Sequence, residues 1–123
     1  METRYERGLK LLAEVVGLPA HRTKAKLDSF APEAGIFLAE YFGDFYSRPQ
    51  LDLKTREMVT LTALAATGKL PQLKVHLQAA LNTGCTAEEI KEIMMQLILY
   101  TGFPTALNAL DTVHEFFNEK ENE

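Results

Sequence analysis

Residues 86–101 read TAEEIKEIMMQLILYT, and this stretch decides the fold class. Its first four residues form a capping box, in which the Thr86 hydroxyl and the Glu89 carboxylate satisfy backbone donors reciprocally at a helix start. Apolar residues then recur at helical spacing on one face: Ile90, Ile93, Met94 and Leu97. The sequence therefore predicts a buried helix from the capping box to about Thr101.

The same spacing continues on both sides of this stretch, and glycines and prolines fall between the periodic blocks. It predicts an all-α bundle of about six helices with no strand. The other five helices are placed near residues 3–17, 32–47, 54–67 and 71–83, and from the Gly102 turn to a charged tail that is expected to fray. Short connections after residue 53 predict antiparallel neighbours.

A basic segment between the first two predicted helices carries His21, Arg22, Lys24 and Lys26. Such a run is typical of a solvated connector, and an anion-binding loop is the alternative interpretation. We treat it as a connector.

Length and composition limit the function. A chain of 123 residues with 46% hydrophobic and 24% charged residues predicts one globular domain, residues 1–123. A net charge of −4 does not favour nucleic acid, and no apolar stretch is long enough to cross a membrane. The N-terminal residues resemble no targeting signal, so we expect a cytoplasmic protein. The single cysteine, Cys85, excludes an intrachain disulfide and a two-thiol redox centre.

The predicted helix 32–47 is rich in aromatic residues: Phe37, Tyr41, Phe42, Phe45 and Tyr46. Its apolar surface extends around more of the helix than one packing face requires. Because exposed aromatic patches commonly mark interfaces, we expect a homo-oligomer.

Two titratable residues lie on apolar helix faces. Glu57 shares a face with Leu61, and His76 shares one with Leu73 and Leu77. If the two helices form an antiparallel hairpin, a carboxylate and an imidazole meet in one pocket, where they can exchange protons near neutral pH. The alternative is a partly exposed first-turn acid and a core histidine bonded to a carbonyl group. His21, His76 and His114 lack metal-ligand spacing, so no metal site is predicted.

Four ordered blocks of the chain resemble the carboxymuconolactone decarboxylase family. They are LDLKTREMVTL (51–61), GKLPQLKVHLQAALNTG (68–84), TAEEI (86–90) and YTGFPTALNA (100–109), and the resemblance covers about residues 30–118. It implies all-helical subunits assembled into a ring, often a hexamer.

One branch of this family, the alkylhydroperoxidase D type, uses a Cys-x-x-Cys pair with a histidine and a glutamate. The spacing of Glu57 and His76 matches that branch, but Lys69 and Gln72 occupy the two thiol positions. Neither side chain can attack a peroxide or form a disulfide. Cys85 lies in the loop after the helix that carries His76, directly before the next helix, and is expected to be a small buried residue in a turn.

The chain is therefore more similar to the decarboxylase branch, which converts 4-carboxymuconolactone to the enol-lactone of 3-oxoadipate without metal or organic cofactor. The resemblance implies His76 as proton donor or electrophile and Glu57 as its orienting partner or proton relay. The substrate is a small anion, and the candidates to bind its remaining carboxylate are Arg56, Lys69 and Lys74. Tyr41, Phe42 or Tyr100 would exclude water from the site.

Two other functions stay open. One is a hydroperoxide-reducing antioxidant enzyme, which the missing thiol pair opposes. The other is a noncatalytic oligomer that binds a small ligand, because a fold alone does not fix a function.

Overall fold

The computed structural model describes residues 1–123 and contains seven α-helices and no strand. The all-α class is therefore confirmed, with one helix more than the sequence pattern predicted. The helices fall into two compact units, residues 1–53 and 54–123.

The first unit contains three helices, α1 (Arg4–Val15), α2 (Leu18–Phe30) and α3 (Pro32–Tyr46). Helix α1 packs closely on α3 through glycine, and a methyl group added at Gly8 would collide with the carbonyl group of Ala39. Beside this contact, Asp44 accepts hydrogen bonds from Arg4 and Arg7. The hydrogen bond from Arg4 is the main reason that the pKa of Asp44 lies below its ordinary value.

The connector prediction for the basic segment is wrong, because His21, Arg22, Lys24 and Lys26 all lie in α2. Only one residue of this helix, Ala20, is buried, so the helix lacks the apolar periodicity by which the others are recognised. Its stability has other sources. Pro19 lies in the first turn, where a missing N–H costs nothing, and Lys24 pairs with Asp28 one turn later at 2.7 Å.

The second unit contains α4 (Leu53–Ala66), α5 (Leu70–Asn82), α6 (Ala87–Thr101) and α7 (Phe103–Glu121). These bounds agree with the predicted helices to within one or two residues, except at the C-terminal end. The capping box is confirmed: Glu89 N–H donates to the Thr86 hydroxyl at 3.0 Å, and Thr86 N–H donates to the Glu89 carboxylate at 2.9 Å. Gly84, with a φ of 105°, follows the end of α5 in the left-handed region, which glycine adopts without strain.

The core of the second unit is formed by all four of its helices. Its fully buried side chains include Leu61, Leu73, Leu77, Ile90 and Met94. The charged tail does not fray as expected, since α7 continues to Glu121. Lys120 anchors its last turn by donating to the Gln78 side chain at 2.7 Å, a tertiary contact that residue composition does not predict.

Large apolar side chains remain exposed in both units. In the first unit they lie at the end of α2 and along α3: Phe30, Ile36, Phe37, Tyr41 and Phe45. In the second unit they surround the turn between α6 and α7: Met95, Leu99, Tyr100, Phe103 and Leu107. None of the seven helices is both long enough and apolar enough to cross a membrane.

Candidate active site

Glu57 is a fully buried carboxylic acid on α4. Its side chain has a relative exposure of 0%, and Leu61, one turn further along the same helix, is equally buried. The partly exposed first-turn acid of the alternative interpretation is therefore wrong. Since a buried carboxylate needs polar partners to offset its lost hydration, the partners of Glu57 decide what it can do.

One partner of Glu57 is His76 on α5. The Nδ1 atom of His76 lies 2.8 Å from Oε1 of Glu57, and 19% of the histidine side chain is exposed. The alternative of a histidine bonded to a carbonyl group is thus not observed. The inward faces of α4 and α5 bring the two residues together across nineteen positions of sequence.

The contact gives the two imidazole nitrogens different roles. The direction of the hydrogen bond depends on the tautomer of His76: with an ionised carboxylate, which only accepts, an N–H at Nδ1 is the donor to Glu57. The other ring nitrogen, Nε2, makes no hydrogen bond within the chain. An imidazole that contacts a carboxyl group through one nitrogen and is open to a ligand at the other is an arrangement that can exchange a proton with a substrate.

The three candidate cations occupy different places. Lys74 points to α7, where its Nζ lies 3.3 Å from Glu115 and 2.7 Å from Glu119. The hydrogen bond to Glu119 is the main cause that raises the pKa of Lys74 above its ordinary value. Residues two apart on a helix do not face each other, so the structure does not bring Lys74 to His76.

Lys69 and Arg56 remain compatible with a site at the pair. Lys69 is exposed and is the N-cap residue of α5, seven positions before His76. Arg56 is partly buried and directly precedes Glu57 on α4. Their roles in substrate binding stay predictions.

The candidate tyrosines are exposed in the single chain. Tyr100 lies in the last turn of α6 in the second unit. Tyr41 lies on α3 in the first unit, where the Arg4 guanidinium is 5.3 Å from its ring centroid. Phe42 is partly buried and stacks on Tyr46. Excluding water with these rings requires a further surface over them, so this role too stays a prediction.

Cys85 is buried, and its Sγ lies 3.9 Å from the carbonyl oxygen of Lys54. A buried thiol bonded to backbone suits the packing role expected for it. No group of three or more His, Cys, Asp or Glu side chains is arranged to hold a metal ion.

The sequence profile of the Carboxymuconolactone decarboxylase family matches residues 32–115. This match spans more than half of the chain and contains both Glu57 and His76. The chain belongs to the carboxymuconolactone decarboxylase family.

Three relatives illustrate the range of this similarity. A 4-carboxymuconolactone decarboxylase of Acinetobacter baylyi is 34% identical over 120 residues, which cover 96% of this chain and 90% of the relative. An uncharacterised 15.0 kDa protein of Paracoccus denitrificans is 34% identical over 88 residues, which cover 70% of this chain and 66% of the relative. A nitrosuccinic acid decarboxylase of Metarhizium robertsii is 25% identical over 117 residues, which cover 94% of this chain and 82% of the relative.

Proposed function

We propose that the protein is a decarboxylase that acts on a small carboxylated lactone resembling 4-carboxymuconolactone, without a metal or organic cofactor. The observation that carries the proposal is the contact of 2.8 Å between buried Glu57 and partly exposed His76. This contact supports the proposal because a partly exposed imidazole backed by a buried carboxyl group suits the role of proton donor.

The names of two relatives support this class of reaction. One is a decarboxylase of 4-carboxymuconolactone and the other of nitrosuccinic acid. Both compounds are acids that also carry an electron-withdrawing group, a conjugated lactone carbonyl in one and a nitro group in the other. Such a group accepts the electron pair that carbon dioxide leaves behind, so the reaction needs charge stabilisation and a proton rather than a redox cofactor.

The proposed reaction needs only side chains of this protein and solvent to move its electrons and protons. The bond to the departing carboxylate breaks, carbon dioxide leaves, and the electron pair delocalises toward the lactone carbonyl oxygen as a dienolate. The N–H at Nε2 of His76 then gives its proton to the carbon next to that carbonyl group. Glu57 holds the imidazolium before this transfer by accepting from Nδ1, and solvent returns the proton afterwards.

The carboxylate that stays on the substrate requires a cation. Lys69 is the first candidate because it is exposed at the start of the helix that carries His76. Arg56 is the second candidate, whereas Lys74 is held by two acids on α7.

We further propose that the subunits assemble into a homo-oligomer. The exposed apolar side chains of α3 and of the α6–α7 turn are too numerous for a surface facing water alone. Substituting Phe45 or Leu99 with Asp should lower the mass of the assembly measured by light scattering. An unchanged mass with both variants would exclude these surfaces as interfaces.

The function is tested by following the ultraviolet absorbance of 4-carboxymuconolactone with the purified protein, with His76→Ala in parallel. We expect turnover by the wild type and its loss in a variant whose circular dichroism shows intact helices. No turnover by the wild type would exclude this substrate. If neither the wild type nor His76→Ala turned over the compound but both still bound it, the result would favour a noncatalytic oligomer that binds a small ligand.

A further inference from the structure

Gln72 is the neighbour of His76 one turn earlier on the same helix. Gln72 and His76 are four residues apart on α5, and side chains at this spacing lie one above the other with Cβ atoms about 6 Å apart. Helical side chains tilt toward the N-terminus, so the imidazole lies over the turn that contains Gln72 and Leu73. Because Leu73 is fully buried in the core, Gln72 is the residue of that turn on the solvent side.

The amide of Gln72 is also unused. Its side chain is exposed and makes no hydrogen bond within the chain. In contrast, Gln78 on the same helix both donates to Asn82 and accepts from Lys120. Gln72 therefore has two N–H donors available on the turn of α5 next to His76, whose side chain is partly exposed.

Decarboxylation requires two donors that are close to each other. In an enolate or a nitronate, the oxygen that holds the charge and the carbon that receives the proton are separated by one atom. If His76 protonates that carbon, a donor to the neighbouring oxygen must lie beside the imidazole, where it stabilises the charge as it develops.

On this basis we infer that Gln72 is a catalytic residue, whose side-chain amide donates a hydrogen bond to the enolate oxygen while His76 protonates the adjacent carbon. The inference rests on the proposed function and adds to it the group that holds the developing charge. The spacing of four residues from His76 is the signal in the sequence that points to Gln72.

The test compares three variants with the wild type on 4-carboxymuconolactone. Gln72→Leu removes the donor at similar size, and we expect kcat to fall by roughly 10²–10³ with little change in KM, because the hydrogen bond strengthens only in the transition state. Gln72→Lys retains an N–H donor and should recover most of kcat. Gln50→Leu, on the exposed connection between α3 and α4, is the matched control and should leave both parameters unchanged.

The outcomes separate this inference from the proposed function. A rise in KM at constant kcat for Gln72→Leu would mean that the amide binds the spectator carboxylate, which overturns the inference. Unchanged kinetics would overturn it as well, while turnover that depends on His76 would still support the proposed function. An inactive wild type would overturn both.

Discussion

Replacing His76 with Asn separates the structural role of this histidine from its chemical role. The Nδ2 amide of Asn takes nearly the position of Nδ1 in His, so it can keep the hydrogen bond to Glu57, but it has no counterpart of Nε2. His76→Ala removes both the hydrogen bond to Glu57 and the Nε2 atom. Only His76→Ala therefore leaves the buried carboxyl group of Glu57 without this hydrogen-bond partner, whereas both variants lose the proposed proton donor.

The expected magnitudes follow from the burial of Glu57 and the distance of 2.8 Å. A hydrogen bond to a charged group contributes about 1.5–3 kcal/mol, and we expect His76→Ala to lose this from the free energy of unfolding. His76→Asn should lose less than about 1 kcal/mol because the carboxylate keeps a donor. Both variants should lose a factor of roughly 10²–10⁴ in kcat, the usual contribution of a general acid.

Urea unfolding followed by circular dichroism measures the stabilities, and the absorbance of 4-carboxymuconolactone measures kcat. If His76→Asn turned over substrate within tenfold of the wild type, Nε2 would not be the proton donor and the proposed mechanism would be wrong. If His76→Ala were as stable as the wild type, the histidine would not stabilise the buried carboxylate.

Three further results are expected. Thr86→Ala removes a helix cap and should lower the free energy of unfolding by about 1 kcal/mol in urea titrations, without affecting kcat. The pKa of Asp44 is lowered in the folded state, mainly by Arg4, so its contribution to stability is present above the pKa of the unfolded chain and is lost as the pH falls through the folded value. The stability difference between wild type and Asp44→Asn should accordingly be constant near neutrality and shrink below about pH 4, as urea titrations at several pH values can show. Lys74→Ala should leave KM unchanged because its ammonium faces α7, and a tenfold higher KM would contradict that assignment.

Most helices were predictable because burial and capping leave a local record in the sequence. The start of α6 is an example, since the Thr86 hydroxyl and the Glu89 carboxylate complete their hydrogen bonds within one turn. Helix α2 was missed because it buries only Ala20 and therefore shows no apolar stripe. The length of α7 was underestimated because Lys120 is held by Gln78, a residue 42 positions away.

The candidate site was partly predictable for the same reason. Helical spacing alone placed Glu57 and His76 on inward faces, because a side chain's direction on a helix follows from its register. Spacing did not separate the three candidate cations, since all three lie within or directly before the two helices that carry Glu57 and His76. Which cation is already paired depends on the acids that lie across from it in the fold. The packing of α5 on α7 pairs Lys74 with Glu115 and Glu119.

The sequence by itself therefore determined the all-helical class, the helix boundaries set by local caps and the inward direction of Glu57 and His76. These properties depend on residues within a few positions of each other. Tertiary structure alone decided the distance of 2.8 Å between the two side chains, the complete burial of the carboxylate and the nitrogen of His76 that is left for a ligand. Those properties depend on how α4 and α5 pack, and the packing of two helices is fixed by every side chain between them rather than by either helix's own pattern.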